Sequence, residues 1–259
     1  MIHLKYDGYV IYSDLDRTIR NSKGIISDKT RDTLAYFQEN GGRFALATGR
    51  SPEHAGKLGL KFNAPLIVVN GTYVADCGSG KPLAKFSMDS GCKAVYDYAI
   101  SNFEGLKDYI VFHEGSEYRK TLYDGNMDDA FLQPVFKIVY VFEQESYALA
   151  FQSAMTERFS ADYSFERSWE VGVEMLSVKG GKGNGVEFVR KFCADSIHTI
   201  ICAGDFENDI SMLRAADIGV AVGNALDSVK AAADVVAPDC DHDPIAWIIE
   251  NIENLKPQS

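Results

Sequence analysis

The sequence predicts an α/β fold in which a doubly wound parallel sheet carries an inserted α+β region. Short apolar runs alternate with helical patterns in the first and last thirds of the chain, which favours parallel strands joined by right-handed crossovers. The middle third instead holds alternating aromatic segments such as FKIVYVFE between helical patterns, which is typical of an α+β region. The predicted division is a core of residues 1–77 and 177–259, with residues 78–176 inserted between its halves.

The elements of the first third follow from their boundary residues. YVIYSD and RFALATG predict buried strands, and SDKTRDTLAYFQENGG between them predicts a helix that begins at Ser27 or Asp28 and stops at Gly41. SPEHAGKLGL predicts a second helix, capped by Ser51 with Pro52 at its first position. PLIVVNG predicts the next strand, with TYVAD as its hairpin partner.

The last third repeats the alternation. Helices are predicted over GKGNGVEFVRKFCAD, ENDISMLRAA, ALDSVKAAA and DPIAWIIENI, and strands over HTIICAGD, DIGVAVG and DVVAP. Functional groups of such a sheet are expected at the carboxyl ends of its strands.

The composition narrows the class of protein. A net charge of −11 argues against binding to nucleic acid or to an anionic membrane, because both need positive charge. The 5 cysteines are dispersed, which predicts reduced thiols without a disulfide framework or a zinc site. With no signal-peptide pattern and no membrane-spanning apolar run, we expect a cytoplasmic protein. The pattern specifies no oligomeric state.

Polar clusters fall where the doubly wound sheet would place its functional edge. The clusters are Asp14-Leu15-Asp16-Arg17-Thr18, Thr48-Gly49-Arg50, Lys182 in GGKGNG, and GDFEND at 204–209. Each cluster alone also fits a hydrated turn, a helix cap or a solvated lysine. The glycine patterns of a P-loop and of a dinucleotide-binding loop are not matched.

Taken together, the clusters predict a phosphoryl site. Carboxylates of Asp14, Asp205 and Asp209 would repel one another unless a hard divalent cation such as Mg²⁺ neutralised them. Thr48 and Lys182 could then hold an anion against the metal, with electrostatic stabilisation as the main contribution.

The ordered set D-x-D-x-T, T-G-R, a lysine at a helix start and G-D-x-x-N-D resembles the haloacid dehalogenase (HAD) superfamily. VVNGTYVAD and VEMLSVKGGKGNGVEF resemble its Cof-type subfamily, which consists largely of sugar-phosphate phosphatases. The resemblance extends over essentially the whole chain. It implies a Rossmann-like core with an α+β cap inserted between the second and third motifs.

The resemblance also implies roles for the catalytic residues. Asp14 would be the nucleophile that forms an aspartyl-phosphate. Asp16 would protonate the leaving alkoxide and then activate water. Thr48 and Lys182 would orient the phosphoryl group and neutralise its charge.

For metal and substrate binding, the resemblance implies a Mg²⁺ site formed by Asp14, Asp205, Asp209 and the backbone carbonyl of Asp16. Asn208 would support phosphate or metal-bound water. Gly49 and Arg50 belong to the same predicted phosphate site, although Arg50 could equally pair with an acid of the core.

The sequence departs from the Cof pattern after the second aspartate. The usual run there is D-G-T-L, whereas this chain has Arg17-Thr18-Ile19-Arg20. Arg17 is therefore a candidate specificity residue, with a solvent-facing side chain as the alternative.

The expected function is that of a Mg²⁺-dependent phosphatase acting on a small phosphorylated metabolite, with a sugar phosphate as the first candidate. A phosphomutase of the same superfamily and a catalytically silent binding or regulatory protein are the alternatives.

Overall fold

The chain forms two compact units in a computed structural model that describes residues 4–114, 116–121 and 128–257, with 116–121 described by backbone alone. The core unit consists of Met1–Ala84 and Lys182–Ser259, and the cap unit of Lys85–Gly181. The units divide after residues 84 and 181, whereas the sequence predicted division after 77 and 176. The first boundary lies later because 82–85 forms a strand that extends a sheet of the core unit.

The first half of the core unit carries the predicted strands and helices together with one strand that was not predicted, Pro82–Lys85. They are β1 (Tyr9–Ser13), α1 (Asp28–Glu39), β2 (Arg43–Leu46), α2 (Pro52–Gly56), β3 (Leu66–Val68), β4 (Tyr73–Ala75) and β5 (Pro82–Lys85).

The cap unit alternates helices with longer strands. They are α3 (Cys92–Asn102), β6 (Leu106–His113), β7 (Ser116–Thr121), β8 (Val135–Phe142), α4 (Glu145–Phe159), β9 (Tyr163–Trp169) and β10 (Gly172–Ser177).

The second half of the core unit continues the α/β alternation. Its elements are α5 (Lys182–Phe192), β11 (Thr199–Gly204), α6 (Ile210–Ala215), β12 (Ile218–Ala221), α7 (Asp227–Lys230), β13 (Val235–Val236) and α8 (Pro244–Asn251).

The central sheet of the core unit is parallel throughout and has the order β13-β12-β11-β1-β2. Its register pairs Ser13 at the end of β1 with Ala203 of β11 and with Leu46 of β2. The carboxyl ends of these three strands therefore lie side by side. The α/β fold with a parallel central sheet predicted from the alternation is confirmed.

A separate three-stranded sheet has the order β3-β4-β5. β3 and β4 form the antiparallel hairpin that PLIVVNGTYVAD predicted. A single parallel bridge between Ala47 and Ile67 links β3 to the chain just after β2.

The helix starts agree with the sequence prediction. Ser27 caps α1, and its side chain accepts a hydrogen bond from the Thr30 amide at 3.0 Å. Ser51 caps α2, whose first residue is Pro52. A hydroxyl at each cap satisfies one of the amides that the first helical turn leaves without a partner.

The cap unit is built on an antiparallel sheet of order β7-β6-β8-β10-β9. Phe151 of α4 packs onto it, with its ring centre 4.8 Å from that of Tyr140 and 4.9 Å from that of Phe142. Tyr140 and Phe142 are thus core residues of the cap unit.

Within the described residues, the longest apolar helices fall short of what a membrane crossing requires. The cysteines are all free, as their dispersed positions predicted, and Cys202 is buried in β11.

Helices α5 and α6 approach closely at Gly183, where an added Cβ would lie 2.6 Å from the Ser211 carbonyl oxygen. We expect Gly183→Ala to lower the free energy of unfolding by about 1–3 kcal/mol, because backbone must shift to make room. Gly56→Ala is the matched control, since nothing lies within 4 Å of its added Cβ. Denaturant unfolding of both variants measures the difference, and equal stability would contradict the close approach.

Candidate active site

The buried ammonium group of Lys182 joins two of the predicted site carboxylates. Lys182 begins α5, and its Nζ lies 2.6 Å from Oδ1 of Asp14 and 2.6 Å from Oδ1 of Asp209. Asp14 follows β1 directly, and its amide donates to the Ala203 carbonyl at 2.9 Å. The helix start and the strand end that the motifs predicted are therefore in direct contact.

Asp205 completes an acidic cluster with these two aspartates. One carboxylate oxygen from each of Asp14, Asp205 and Asp209 lies within 4.8 Å of the others. Oxygen ligands at this spacing, on residues that are mostly buried, are suited to a hard divalent cation such as Mg²⁺. The donor set of the site therefore fits the ion that the sequence predicted.

The turn of GDFEND folds Asp209 back towards the end of β11. Oδ2 of Asp209 accepts hydrogen bonds from the amides of Asp205 at 2.8 Å and Phe206 at 3.1 Å. A Cβ added at Gly204 would lie 2.4 Å from Cβ of Asp209. The glycine of this motif is thus required for the carboxylate to occupy its place.

The electrostatics of the cluster show excess negative charge. Burial raises the pKa of Asp14 to about 7, against the attraction of Lys182. Burial, Asp14 and Asp209 raise the pKa of Asp205 to about 8. Burial lowers the pKa of Lys182, but attraction to Asp14 and Asp209 outweighs it, so that pKa is raised. One cation does not balance three carboxylates, which leaves the site suited to a further positive charge.

Thr48, Gly49 and Arg50 follow β2, whose end lies beside the end of β1. Thr48 is buried and its Oγ1 accepts a hydrogen bond from the Arg50 amide at 3.3 Å. The Thr48 amide donates to the Ile67 carbonyl at 2.8 Å, which ties this loop to β3.

The Arg50 side chain pairs with Asp16 rather than with a core acid. Its Nε and Nη2 both lie 2.9 Å from Oδ2 of Asp16. Arg20, which the sequence did not single out, places Nη1 3.2 Å from Oδ1 of the same carboxylate. Asp16 is about half exposed, at 44%, so the two predicted catalytic aspartates occupy different environments.

The turn between Asp14 and Arg20 is held by Asn224, which is distant in sequence and follows the end of β12. Arg17 has a left-handed backbone with φ of 63° and an exposed side chain. Asn224 donates from Nδ2 to the Arg17 carbonyl at 2.9 Å and accepts the Cys240 amide on Oδ1 at 2.7 Å. Thr18 donates from Oγ1 to Oδ1 of Asp205 at 3.3 Å.

Asn208 lies buried in the short helical turn Glu207–Asp209, next to the acidic cluster in sequence.

His54 of α2 was missed by the sequence prediction. Its Nε2 is buried without a hydrogen-bond partner among the described residues. Burial and the nearby charges of Arg50 and Arg20 lower the pKa of His54. In the sequence, the one signal for His54 as a residue near the site is its position one helical turn after T-G-R.

Comparison with known proteins gives a family match over most of the chain. The profile of the haloacid dehalogenase-like hydrolases matches residues 11–249. Pyridoxal phosphate phosphatase YbhA of Escherichia coli is 26% identical, over 93% of this chain and 97% of that protein. The 5-amino-6-(5-phospho-D-ribitylamino)uracil phosphatase YwtE of Bacillus subtilis is 23% identical, over 92% of this chain and 96% of that protein.

A similar solved structure is described as a HAD subclass IIB sugar phosphatase. It superposes with a TM-score of 0.77 at 21% identity, over 95% of this chain and 99% of that one. At this identity the likeness concerns the fold.

Removal of the Lys182 charge tests the electrostatic description of the site. We expect Lys182→Met to lower the free energy of unfolding by about 3–5 kcal/mol in metal-free buffer, because buried carboxylates lose their counterion. Lys191→Met is the matched control, since Lys191 is an exposed lysine of the same helix. Denaturant unfolding in the presence of a chelator measures both, and equal losses would contradict the buried ion cluster.

Proposed function

Because the chain belongs to the haloacid dehalogenase-like hydrolase family, we propose that it is a Mg²⁺-dependent phosphomonoesterase that works through an aspartyl-phosphate. The observation that carries the proposal is the contact of buried Asp14 with the Lys182 ammonium at 2.6 Å, beside Asp205 and Asp209. A carboxylate in this position is oriented and close to positive charge, which an attack on a phosphate dianion requires.

In the first step, a carboxylate oxygen of Asp14 bonds to phosphorus while the bond from phosphorus to the ester oxygen breaks. Asp16 gives a proton to the departing alkoxide. In the second step, water attacks phosphorus, Asp16 takes the proton of that water, and the bond between Asp14 and phosphorus breaks. Inorganic phosphate and the alcohol are the products, and the enzyme returns to its starting state.

Lys182, Thr48, Arg50 and Asn208 are the proposed phosphate-binding side chains. The buried Lys182 ammonium neutralises charge on the transferring group, and the Thr48 hydroxyl lies at the end of the neighbouring strand. The backbone of Gly49 lies between Thr48 and Arg50 and completes this loop. Arg50 is exposed and already bound to Asp16, so it would contact phosphate with its remaining guanidinium nitrogen.

Asp14, Asp205 and Asp209 would hold the metal, together with the backbone carbonyl of Asp16. When bound, Mg²⁺ supplies charge neutralisation for the phosphoryl group and for the crowded carboxylates. The three buried acids and their single lysine support this assignment.

The proposed substrate is a small phosphorylated metabolite, with a sugar phosphate as the first candidate. The relatives YbhA and YwtE are named for small phosphorylated compounds, and one fold relative is named a sugar phosphatase. We propose a cytoplasmic enzyme without nucleic-acid or membrane partners, in keeping with its net charge of −11.

Replacement of the nucleophile is the decisive test. We expect Asp14→Asn to lose at least about a thousandfold of the Mg²⁺-dependent phosphate release, since the amide cannot form the aspartyl-phosphate. The measurement is a phosphate-release screen over a panel of metabolite esters. Asp195→Asn, at an exposed aspartate of the same unit, is the control.

Full activity of Asp14→Asn on a good substrate would exclude the mechanism. Transfer of labelled phosphate into an isomeric sugar phosphate would indicate a phosphomutase instead. An inactive wild type across the whole panel would indicate a binding or regulatory protein.

Metal binding can be measured without turnover. We expect saturating Mg²⁺ to stabilise the wild-type core unit by about 2.7 kcal/mol at a hundred times its Kd, and to raise Tm by several degrees. Asp205→Asn should lose most of that shift, because one of the three carboxylates is gone. A thermal shift of equal size in Asp205→Asn and Asp195→Asn would contradict the proposed site.

A further inference from the structure

Asp16 is held by two arginines that bind different oxygens of its carboxylate. Arg50 donates from Nε to Oδ2 at 2.9 Å and places Nη2 2.9 Å from the same oxygen, and Arg20 donates from Nη1 to Oδ1 at 3.2 Å. A carboxylate offers about four acceptor positions, two on each oxygen. Among the described residues, Arg50 contacts Oδ2 with two nitrogens, and Oδ1 accepts one hydrogen bond, from Arg20.

Arg20 is itself fixed by the turn that carries Asp16. The Arg20 amide donates to the Leu15 carbonyl at 2.9 Å, which closes the turn over Leu15–Ile19. The side chain is only 21% exposed. Arg20 can therefore restrain the carboxylate with little motion of its own.

The ion pair between Arg20 and Asp16 adds little to the stability of the protein. The Asp16 carboxylate is half exposed and remains solvated, so its ion pairs contribute weakly. The clearer consequence of the ion pair is geometric. Because one arginine holds each oxygen, the carboxylate cannot rotate freely about its Cβ–Cγ bond, and one acceptor position on Oδ1 stays open.

We propose that Arg20 is a positioning residue that directs the open position of Oδ1 of Asp16 towards the reacting oxygen. The inference rests on the proposed function, in which Asp16 is the acid and base. In the first step the proton leaves Oδ1 for the ester oxygen as its bond to phosphorus breaks. In the second step a proton of the attacking water returns to Oδ1 as its oxygen bonds to phosphorus.

The test compares leaving groups with different needs for a proton. An alkoxide leaves a sugar phosphate only with a proton, whereas para-nitrophenolate leaves without one. The values of kcat/KM report the first step, and each variant is measured at its own pH optimum so that a changed proton affinity does not enter. The substrates are the best sugar phosphate of the panel and para-nitrophenyl phosphate.

We expect Arg20→Leu to lose about tenfold more kcat/KM on the sugar phosphate than on para-nitrophenyl phosphate. That is a fraction of the roughly hundredfold or more that acid catalysis provides. Arg20→Lys keeps one donor and should restore part of the difference. Arg190→Leu is the matched control, because Arg190 pairs with Asp217 at 3.0 Å and at similar exposure elsewhere in the core unit.

Equal losses on both substrates, or no loss on either, would overturn the positioning role of Arg20. If circular dichroism shows Arg20→Leu to be unfolded, Arg20→Lys decides. A selective loss on the sugar phosphate supports the inference, and an unchanged ratio overturns it. A wild type inactive on both substrates, or an active Asp14→Asn, would refute the proposed function itself.

Discussion

The core unit buries three carboxylates around one ammonium group, and the arrangement of its candidate site depends on this cluster of charges. Lys182 is fully buried and lies 2.6 Å from both Asp14 and Asp209. Removal of such charges from water is unfavourable unless each is matched by a partner. The single lysine leaves the cluster with excess negative charge, which fits the proposed binding of a cation at this edge of the sheet.

Backbone geometry, more than side-chain packing, brings these groups together. The register of Ser13 with Ala203 places Asp14 beside the end of β11, from which Asp205 emerges two residues later. The amides of Asp205 and Phe206 then donate hydrogen bonds to the Asp209 carboxylate and hold it next to the other two acids. Parallel pairing of two strands and one tight turn are thus sufficient to assemble an acidic site from distant parts of the chain.

Much of this arrangement could be predicted, because the features involved are local or periodic. Strand and helix identity follow from apolar periodicity and from capping serines such as Ser27, and the edge of the sheet follows from parallel topology. β5 was missed because its PLAK segment is largely exposed and lacks an apolar pattern.

Other contacts could not be predicted because they join distant residues or depend on unusual backbone. Asn224 contacts the Arg17 carbonyl across 207 positions of the chain, which no local pattern reveals. The pairing of Arg20 with Asp16 was hidden by the left-handed backbone of Arg17, which interrupts the regular helical spacing between them.

The two aspartates that follow β1 show how a short segment can provide two chemical roles. Asp14 is buried against an ammonium group, whereas Asp16, two residues on, is half exposed between two guanidinium groups. The turn that carries Asp16 is held by Asn224 and closed by the Arg20 amide, which keeps Asp16 apart from the buried cluster. A buried, oriented carboxylate suits attack on phosphorus, and a solvated one suits repeated proton transfer. The difference in environment, rather than in residue type, therefore separates the proposed nucleophile from the proposed acid and base.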